Sequence, residues 1–500
     1  MIPEVDLHAA LRRYWGYDGF RPMQERIVRS ILSGNDVAVV MPTGGGKSLC
    51  YQLPAAATDG TAIVISPLIA LMQDQAAHLA QMGIPAAILN STLKPAEQSA
   101  VIRFATQGAY RLLYLSPERL ARPDTIDWLS RVPISFFAID EAHCISEWGH
   151  EFRPEYRQLS RLRDLFPDRP IAAFTASATK QVRHDILQQL KLDQPHKYIL
   201  SFHRPNLRYL VKLCDSKTQP KLLLEALAEH AGSNAIVYAP TIKTVESTVA
   251  FLESNGIPAI PYHGKMQNSL RQQNQELWMS EEVPVLVGTL AFGLGINKPS
   301  VRTVIHLSMP KSIEQYYQEA GRAGRDGLPA DCALLWQKKD AGLLAHFTEQ
   351  LQDSRERDNA WDRYRIIRRY VESEQCRHHQ ICMHFGETPK WEQCGICDVC
   401  HSAPRWFTAR TKISVAPVPA PRPVKDAAEG LLAHMKQWRR ELAHARGIPA
   451  FMILHDTTLL DLCRKQPGDL SELLHVTGIG ERKAESYGAE ILKALARFRK

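Results

Sequence analysis

Residues 37–48, VAVVMPTGGGKS, place a short apolar run directly before a glycine-rich loop that ends in Lys47 and Ser48. A run of Val and Ala is typical of a buried strand in a parallel sheet. Glycines let backbone N–H groups close around phosphates at the N-terminus of the following helix. The stretch therefore predicts a strand, a phosphate-binding loop and a helix in succession, which is the repeating unit of an α/β fold.

The side chains of this loop suit a nucleoside triphosphate and its metal ion. Lys47 would reach the β- and γ-phosphates, and Ser48 would ligate Mg²⁺. The loop backbone would be formed by Thr43, Gly44, Gly45 and Gly46. Met41 stands where such loops usually carry their first glycine, and the loop taken alone could be a plain glycine turn.

A second apolar run, SFFAI at 135–139, ends in the acidic pair Asp140 and Glu141. Asp140 would hold Mg²⁺ through water, and Glu141 would orient and deprotonate the attacking water. An exposed acidic helix start is the alternative for such a pair alone. Because the pair occurs together with the glycine loop, each at the end of a strand, we predict ATP hydrolysis.

Aromatic and basic side chains follow the acidic pair within one short segment. They are Trp148, His150, Phe152 and Arg153. Such side chains stack on unpaired bases and contact the backbone of single strands. Trp148 and Phe152 could also be a helical core pair, but Gly149 and Pro154 disfavour a helix. The segment therefore predicts contact with single-stranded nucleic acid.

Two arginines lie three residues apart in YYQEAGRAGRDG, residues 316–327. Arg322 and Arg325 would reach the γ-phosphate and stabilise the charge of the transition state, as arginine fingers do. A basic surface turn is the alternative, since the glycines around the arginines suit either role.

Short apolar runs alternate with helix-length segments from about residue 25 to residue 340. The runs are 37–42, 62–67, 111–117, 136–140, 171–177, 235–240, 284–289, 303–308 and 332–336. This alternation predicts two parallel-sheet α/β domains in tandem. We place them at 1–205 and 206–340, followed by a helical cysteine-containing module at 341–402, a Pro-rich basic linker at 403–424 and an all-α domain at 425–500.

A cluster of cysteines in the third segment predicts a metal site. Its members are Cys376, Cys394, Cys397 and Cys400. Four thiolates suit a closed tetrahedral Zn²⁺ site, although iron–sulfur proteins also use the C-x₂-C-x₂-C spacing. Competing ligands nearby, which we interpret as helix-face residues, are Cys382, His378, His379 and His384.

Composition limits the class of protein. Hydrophobic content of 45% and charged content of 23% are ordinary for a globular protein, and no apolar run approaches the ~18 residues of a membrane span. The start, MIPEVDLHAALRRYW, is unlike a signal peptide, so we expect a cytoplasmic, nucleoid-associated protein with reduced cysteines and no membrane partner.

Net charge is +8, and residues 401–500 hold 17 Lys and Arg against 10 Asp and Glu. This basic end indicates either a phosphate-binding surface or a solvated tail.

These motifs, in this order, resemble the RecQ family of superfamily 2 DNA helicases over most of the chain. The resemblance extends to WGYDGFRPMQ (15–24), SPLIALMQDQ (66–75), LSPERL (115–120), FTASAT (174–179), RPNL (204–207) and AFGLGINKPSVRTVIH (291–306). It implies two RecA-like domains in which Tyr17 stacks on adenine while Arg21 and Gln24 contact it. One departure is YAPT (238–241), which replaces the family's Tyr-Cys-x-Ser.

The C-terminal part carries two further resemblances. The cysteine cluster, with FGE at 385–387, is similar to the zinc module of the family, and residues 425–500 resemble its all-α HRDC domain. In the latter, Gly478-Ile-Gly480 followed by Lys483 is either a hairpin that presents N–H groups to phosphate or a plain turn between helices.

The resemblance implies ATP-dependent 3′-to-5′ movement on single-stranded DNA and unwinding of tailed or forked duplexes, in repair or recombination. ATP, Mg²⁺ and Zn²⁺ would be cofactors, repair proteins are expected partners, and a monomer is expected. Many family members carry a winged-helix domain before the HRDC, for which residues 401–424 are too few. An ATP-driven remodeller or annealing factor with little unwinding is therefore the alternative, and an RNA helicase is a weaker one.

Overall fold

The computed structural model describes residues 6–90, 93–149, 151–289, 298–401, 403–408, 427–446 and 448–498. The chain forms two compact units, the first running up to Ser201 and including Lys465–Ala496, and the second holding most residues from Phe202 to Arg464. No helix within the described ranges combines the length and apolar character that crossing a bilayer requires.

The first unit is built on a seven-stranded parallel sheet in the order β3-β4-β2-β5-β6-β1-β7. Its strands are β1 (Val37–Val40), β2 (Thr61–Ile65), β3 (Ala86–Leu89), β4 (Leu112–Leu115), β5 (Ile134–Ile139), β6 (Ile171–Thr175) and β7 (His196–Ile199). The five inner strands are almost wholly buried because helices cover both faces of the sheet.

Helices precede or connect these strands. They are α1 (Leu7–Trp15), α2 (Gln24–Leu32), α3 (Lys47–Ala57), α4 (Ile69–Gln81), α5 (Pro95–Thr106), α6 (Pro117–Leu120), α7 (Pro123–Leu129), α8 (Arg161–Leu165) and α9 (Lys180–Gln189), with 3₁₀ helices at Ala142–Ile145 and Pro154–Ser160. Leu11 and Ile27 join the core that contains Val39 of β1, so the segment before the first strand is part of this fold.

The second unit has a six-stranded parallel sheet in the order β10-β11-β9-β12-β13-β8. Its strands are β8 (Leu207–Leu213), β9 (Asn234–Tyr238), β10 (Ala259–Tyr262), β11 (Val285–Gly288), β12 (Val301–His306) and β13 (Ala330–Trp336). Its helices are α10 (Thr218–Glu229), α11 (Ile242–Ser254), α12 (Asn268–Met279), α13 (Ile313–Ala320), α14 (Lys338–Glu349), α15 (Ser354–Glu372), α16 (Arg377–His384) and α17 (Arg405–Thr408).

The C-terminal region is helical, as predicted. Its helices are α18 (Ala427–Arg446), α19 (Ala450–Ile453), α20 (Asp456–Lys465), α21 (Leu470–Leu473) and α22 (Glu481–Phe498). Arg439 of α18 is buried; it donates to the carbonyl of Leu454 (2.7 Å) and pairs with Asp456 (2.8 Å) and with Glu281 (3.3 Å). The last pair ties this helix to the α/β part of the second unit.

The predicted fold class is confirmed: two parallel-sheet domains, a small helical cysteine-containing module and a C-terminal all-α region. In parallel sheets the loops that follow the strands meet at one edge, which is where ligands bind in such folds. The loops after β1, β5 and β6 therefore bring the phosphate loop, the acidic pair and FTASAT to one edge of the first sheet.

Candidate active site and metal centre

The phosphate loop connects β1 to α3 as the sequence predicts. Gly44 and Gly46 have φ of +82° and +87°, a left-handed conformation that favours glycine, and α3 begins at Lys47. Met41 is fully buried, and a Cβ on Gly45 would lie 2.5 Å from its Cγ. The methionine thus packs under the loop, and the turn depends on the three later glycines.

The segment before α2 contacts this loop directly. Arg21 Nη1 donates to the carbonyl of Gly44, and Gln24 Nε2 donates to the carbonyl of Gly46 (3.2 Å). The carboxamide oxygen of Gln24 accepts from the backbone N–H of Arg21 (2.9 Å). Arg21 and Gln24, the candidate base-binding residues, are therefore hydrogen-bonded to the backbone of the candidate phosphate-binding loop.

Tyr17 is half-buried against the core of the first unit. Burial raises the pKa of its hydroxyl, while the neighbouring positive charge of Arg21 lowers it. The stacking of Tyr17 on adenine stays a prediction.

The acidic pair lies at the end of β5. Asp140 is buried and accepts from the backbone N–H of Glu141 at Oδ1 (3.0 Å). Burial and then the negative charge of Glu141 raise the pKa of Asp140 to about 6, while Lys47 acts in the opposite direction. That electrostatic effect places the lysine of the loop and the carboxylate at one site.

Glu141 has φ of +48°, which is uncommon for a residue with a side chain and is typical of constrained functional sites. Its Oε2 lies 3.3 Å from Nδ1 of His143. The same nitrogen lies 2.9 Å from Oγ1 of Thr175, at the end of β6. His143 therefore connects the acidic pair to FTASAT.

Sequence reasoning did not assign a role to Gln75, the last residue of SPLIALMQDQ. Gln75 Nε2 donates to Oγ of Ser48 (3.1 Å), and its Oε1 accepts from Gln52. Gln75 thus fixes the hydroxyl that is the candidate Mg²⁺ ligand. The only sequence signal was its place in a motif of the family.

The aromatic loop has the irregular backbone that Gly149 and Pro154 predicted. The N–H of Gly149 donates to the carbonyl of Ser146 (3.0 Å), and the N–H of Arg153 donates to that of Cys144 (2.9 Å). Trp148 is 53% exposed, whereas Phe152 and Arg153 are half-buried. His150 lies outside the described residues. An exposed indole on a loop pinned to the acidic motif suits stacking on a base.

In the second unit, Arg322 and Arg325 follow the C-terminal end of α13 in a turn. Arg322 is buried and Arg325 half-buried. Burial raises the pKa of Tyr238, at the end of β9, and the positive charges of both arginines oppose that shift. Both guanidinium groups therefore lie near the carboxyl end of the second sheet.

The four cysteines form one cluster, in which the sulfur atoms all lie within 4.8 Å of one another. Sulfurs on a tetrahedron with ~2.3 Å zinc–sulfur bonds lie about 3.8 Å apart, and Sγ of Cys376 and Cys397 are 4.0 Å apart. Backbone N–H groups of Cys394 and Cys397 donate to neighbouring sulfurs (3.3 and 3.4 Å). The donor set and its spacing fit a single Zn²⁺.

The competing ligands have other partners. His384 Nε2 lies 2.7 Å from a carboxylate oxygen of Glu314, and His378 Nε2 donates to the carbonyl of Arg204 (3.1 Å). Both histidines thus have partners outside the four-cysteine cluster, although His378 is buried and not solvated as the helix-face interpretation supposed.

The Gly478-Ile-Gly480 hairpin packs against the end of α1 within the first unit. The N–H of Gly478 donates to the carbonyl of Gly16 (2.8 Å), and a Cβ on Gly16 would lie 2.5 Å from the carbonyl carbon of Ile479. The N–H of Gly478 is therefore already paired, and the hairpin packs against the end of α1. Desolvation lowers the pKa of half-buried Lys483 to about 8.

Gly480→Ala is expected to destabilise the first unit by on the order of 1–3 kcal/mol, the cost of overpacking. The new methyl group would lie 2.7 Å from the carbonyl oxygen of Arg13. In the control Gly468→Ala, the nearest atom is Glu472 Oε2 at 3.5 Å, and a change within about 0.5 kcal/mol is expected. Thermal melting of both variants checks this; equal melting temperatures would contradict the docking contact.

The order of these elements along the chain is that of the helicase class of P-loop proteins. Family models match it in the same order: "DEAD/DEAH box helicase" over residues 21–185, "Helicase conserved C-terminal domain" over 218–327, "RecQ zinc-binding" over 338–401 and "HRDC domain" over 428–495. The chain belongs to the RecQ family of helicases, with its zinc module and HRDC domain.

Three proteins named ATP-dependent DNA helicase RecQ are similar to the chain. Those from Haemophilus influenzae and Pasteurella multocida are 41% and 42% identical over 80% and 79% of this chain, which spans only 64% and 62% of their own length. The protein from Bacillus subtilis is 33% identical over 587 aligned residues, 98% of this chain and 99% of the relative. Because 98% of 500 residues cannot fill 587 positions, this relative contains residues that the chain lacks.

Solved structures share the fold. Mycobacterium smegmatis helicase Lhr bound to ssDNA and AMP-PNP has a TM-score of 0.52 at 20% identity and covers 67% of this chain and 48% of that one. DUF1998 helicase MrfA bound to DNA has a TM-score of 0.56 at 18% identity, covering 68% and 52%.

Proposed function

We propose that this protein is an ATP-dependent DNA helicase that moves 3′ to 5′ on single-stranded DNA and unwinds tailed or forked duplexes in repair or recombination. The observation that carries the proposal is the shared edge of the first sheet. There the base motif, the phosphate loop and the acidic pair meet, and an exposed aromatic loop continues from that pair. The relatives named DNA helicases support the same activity.

ATP binding is assigned to the first unit. Arg21 and Gln24 would exchange their bonds to the loop carbonyls for contacts with adenine, which stacks on Tyr17. The N–H groups of Gly44–Gly46 and the Lys47 ammonium would bind the phosphates. Ser48 and Asp140 would hold Mg²⁺, which would supply positive charge against the phosphates.

Hydrolysis is assigned to Glu141, which would take a proton from the attacking water. Its constrained backbone and the contact with His143 orient the carboxylate for this step. Arg322 and Arg325 would stabilise the negative charge that develops on the γ-phosphate.

The aromatic loop would couple hydrolysis to DNA. Arg157, in the 3₁₀ helix that follows the loop, lies 5.4 Å from the ring of Phe152, so this ring packs against the start of that helix. A base stacked on Trp148 would move the segment that contains Glu141, and hydrolysis would depend on single-stranded DNA.

A second candidate function is an ATP-driven remodeller or annealing factor that separates strands poorly. The short interval of residues 401–424 favours it, because a folded winged-helix domain needs many more residues. The residues present in the Bacillus relative and missing here point in the same direction.

We expect the purified chain to unwind a 3′-tailed DNA duplex and to leave a 5′-tailed duplex intact, with ATP consumption measured in the same reaction. The proposed polarity requires this difference between the two duplexes, which have the same sequence. A 3′-tailed RNA duplex of that sequence is the control that distinguishes DNA from RNA as the substrate. ATP hydrolysis stimulated by single-stranded DNA without unwinding of either duplex would instead support the remodeller. Greater stimulation by RNA would contradict both.

A further inference from the structure

The short segment 202–206 lies between β7 and β8, at the boundary of the two units: the first ends at Ser201 and the second begins at Phe202. It contains most of RPNL, which sequence reasoning recognised without assigning a role. Almost every residue of this segment has a specific polar or aromatic contact within the second unit, which is unusual for a loop that connects two strands.

The C-terminal half of the segment contacts the loop that carries the two arginines. Asn206 Nδ2 donates to the carbonyls of Gly324 (2.8 Å) and Leu328 (3.0 Å). Arg204 Nη2 donates to the carbonyls of Gly324 (3.0 Å) and Ala323 (3.3 Å). Gly324 and Ala323 are the two residues between Arg322 and Arg325.

The arginine loop is also shaped around Asn206. Gly324 has φ of +53°, and a Cβ there would lie 2.5 Å from Asn206 Nδ2 and 2.8 Å from the carbonyl oxygen of Leu328. The backbone N–H of Ala330 donates to the carbonyl of Asn206 (2.9 Å). Asn206 therefore contacts the middle of the turn in which the arginines lie, at Gly324, and its end, at Leu328 and Ala330.

The N-terminal half of the segment contacts the zinc module. The N–H of Phe202 donates to Glu387 Oε2 (2.8 Å), and its ring stacks on Phe385, with centroids 4.4 Å apart and planes 11° apart. The ring of His203 lies against Trp391 (4.7 Å). His378, two residues after the first cysteine of the cluster, donates to the carbonyl of Arg204 (3.1 Å).

We propose that residues 202–206 are a brace that holds Arg322 and Arg325 in position for ATP hydrolysis, and that the zinc module anchors this brace. Arg204 and Asn206 are positioning residues, since they act through the backbone between the arginines. The zinc module would then contribute to hydrolysis as well as to folding. This inference rests on the proposed role of the arginines.

Asn206→Asp tests the brace with little change in shape. A carboxylate cannot donate to the carbonyls of Gly324 and Leu328 and repels both, so the arginine loop would shift. Misplacement of catalytic groups by about 1 Å can cost on the order of 100-fold in rate. We expect kcat of DNA-stimulated ATP hydrolysis to fall by about 10- to 100-fold, with KM for ATP changed by less than about threefold.

The matched control is Asn274→Asp in the same unit. Asn274 is buried on α12 and donates its amide to the carbonyl of Pro261 (2.8 Å), so the same isosteric change removes a similar bond away from the arginines. A purely structural loss would appear equally in both variants, in thermal melting and in kcat. The brace predicts that only Asn206→Asp lowers kcat.

A double-mutant cycle decides whether Asn206 acts through the arginines. In the background Arg322→Ala with Arg325→Ala, we expect Asn206→Asp to have no further effect on the residual rate. We expect Glu387→Ala to lower kcat when both arginines are present and to have no further effect when both are replaced by alanine. Glu387→Gln keeps an acceptor for the N–H of Phe202, so we expect this variant to retain most of the parent kcat.

Independent effects of Asn206→Asp and the arginine substitutions on kcat would overturn the brace. So would an unchanged kcat in Asn206→Asp alongside a large loss in Arg322→Ala. An unchanged rate in the double arginine variant itself would instead contradict the proposed function, because the arginines would then take no part in hydrolysis.

Discussion

Glu141→Gln is expected to lower kcat of DNA-stimulated ATP hydrolysis by about 10²- to 10⁴-fold, the contribution of a well-placed general base. The amide keeps the shape of the side chain and its position 3.3 Å from His143 Nδ1, but it cannot take the proton of the attacking water. The residues that contact nucleotide are untouched, so ATP affinity should stay within about threefold. Steady-state hydrolysis and binding of a fluorescent ATP analogue measure the two quantities.

Glu147→Gln is the matched control in the same segment. Its carboxylate is exposed and pairs with Arg157 at 2.8 Å, and exposed pairs contribute about 0–1 kcal/mol, so kcat should stay within about twofold. A Glu141→Gln variant that hydrolyses ATP within tenfold of the parent rate would remove Glu141 as the base. Equal losses in both variants would show that the segment, and not this carboxylate, matters.

The strands that the sequence predicts and those that it misses differ in their place in the sheets. All nine predicted apolar runs are strands, but β3, β7, β8 and β10 were not predicted, and these four are the edge strands of the two sheets. Inner strands are covered on both faces and read as continuous apolar runs. An edge strand such as β7, HKYI, is largely exposed, so its sequence is not a continuous apolar run.

The candidate site shows the same limit in another form. Lys47, Ser48, Asp140 and Glu141 could be found from sequence because each lies in a compact motif at a strand end. The contact of Asn206 with Gly324 joins residues 118 positions apart, and no local sequence pattern predicts it. Met41 is similar: its place under the phosphate loop follows from packing against Gly45, whereas the sequence shows only a missing glycine.

Cys397→Ala is expected to abolish zinc binding and to unfold the module around residues 376–400. Cys397 is the most deeply buried of the four cysteines, and zinc contributes about 10–16 kcal/mol to folding in small zinc-binding peptides, far more than a typical point substitution. The neighbouring Asp398 pairs with Arg377 (3.0 Å) and accepts from the N–H of Val211 in β8 (3.1 Å). Loss of the metal should therefore raise hydrogen exchange in β8 as well as in the module.

Cys382→Ala separates a ligand from a bystander, because Cys382 is equally buried on α16 but lies outside the four-cysteine cluster. We expect one zinc per chain in the parent and in Cys382→Ala, and close to none in Cys397→Ala, by metal analysis of the purified proteins. Full zinc content in Cys397→Ala would contradict the assigned ligand set. Iron and visible absorption in the parent protein would contradict the zinc assignment and support the iron–sulfur cluster that the cysteine spacing also permits. Hydrogen exchange in β8 would then measure how loss of that cluster, and not of zinc, affects the strand.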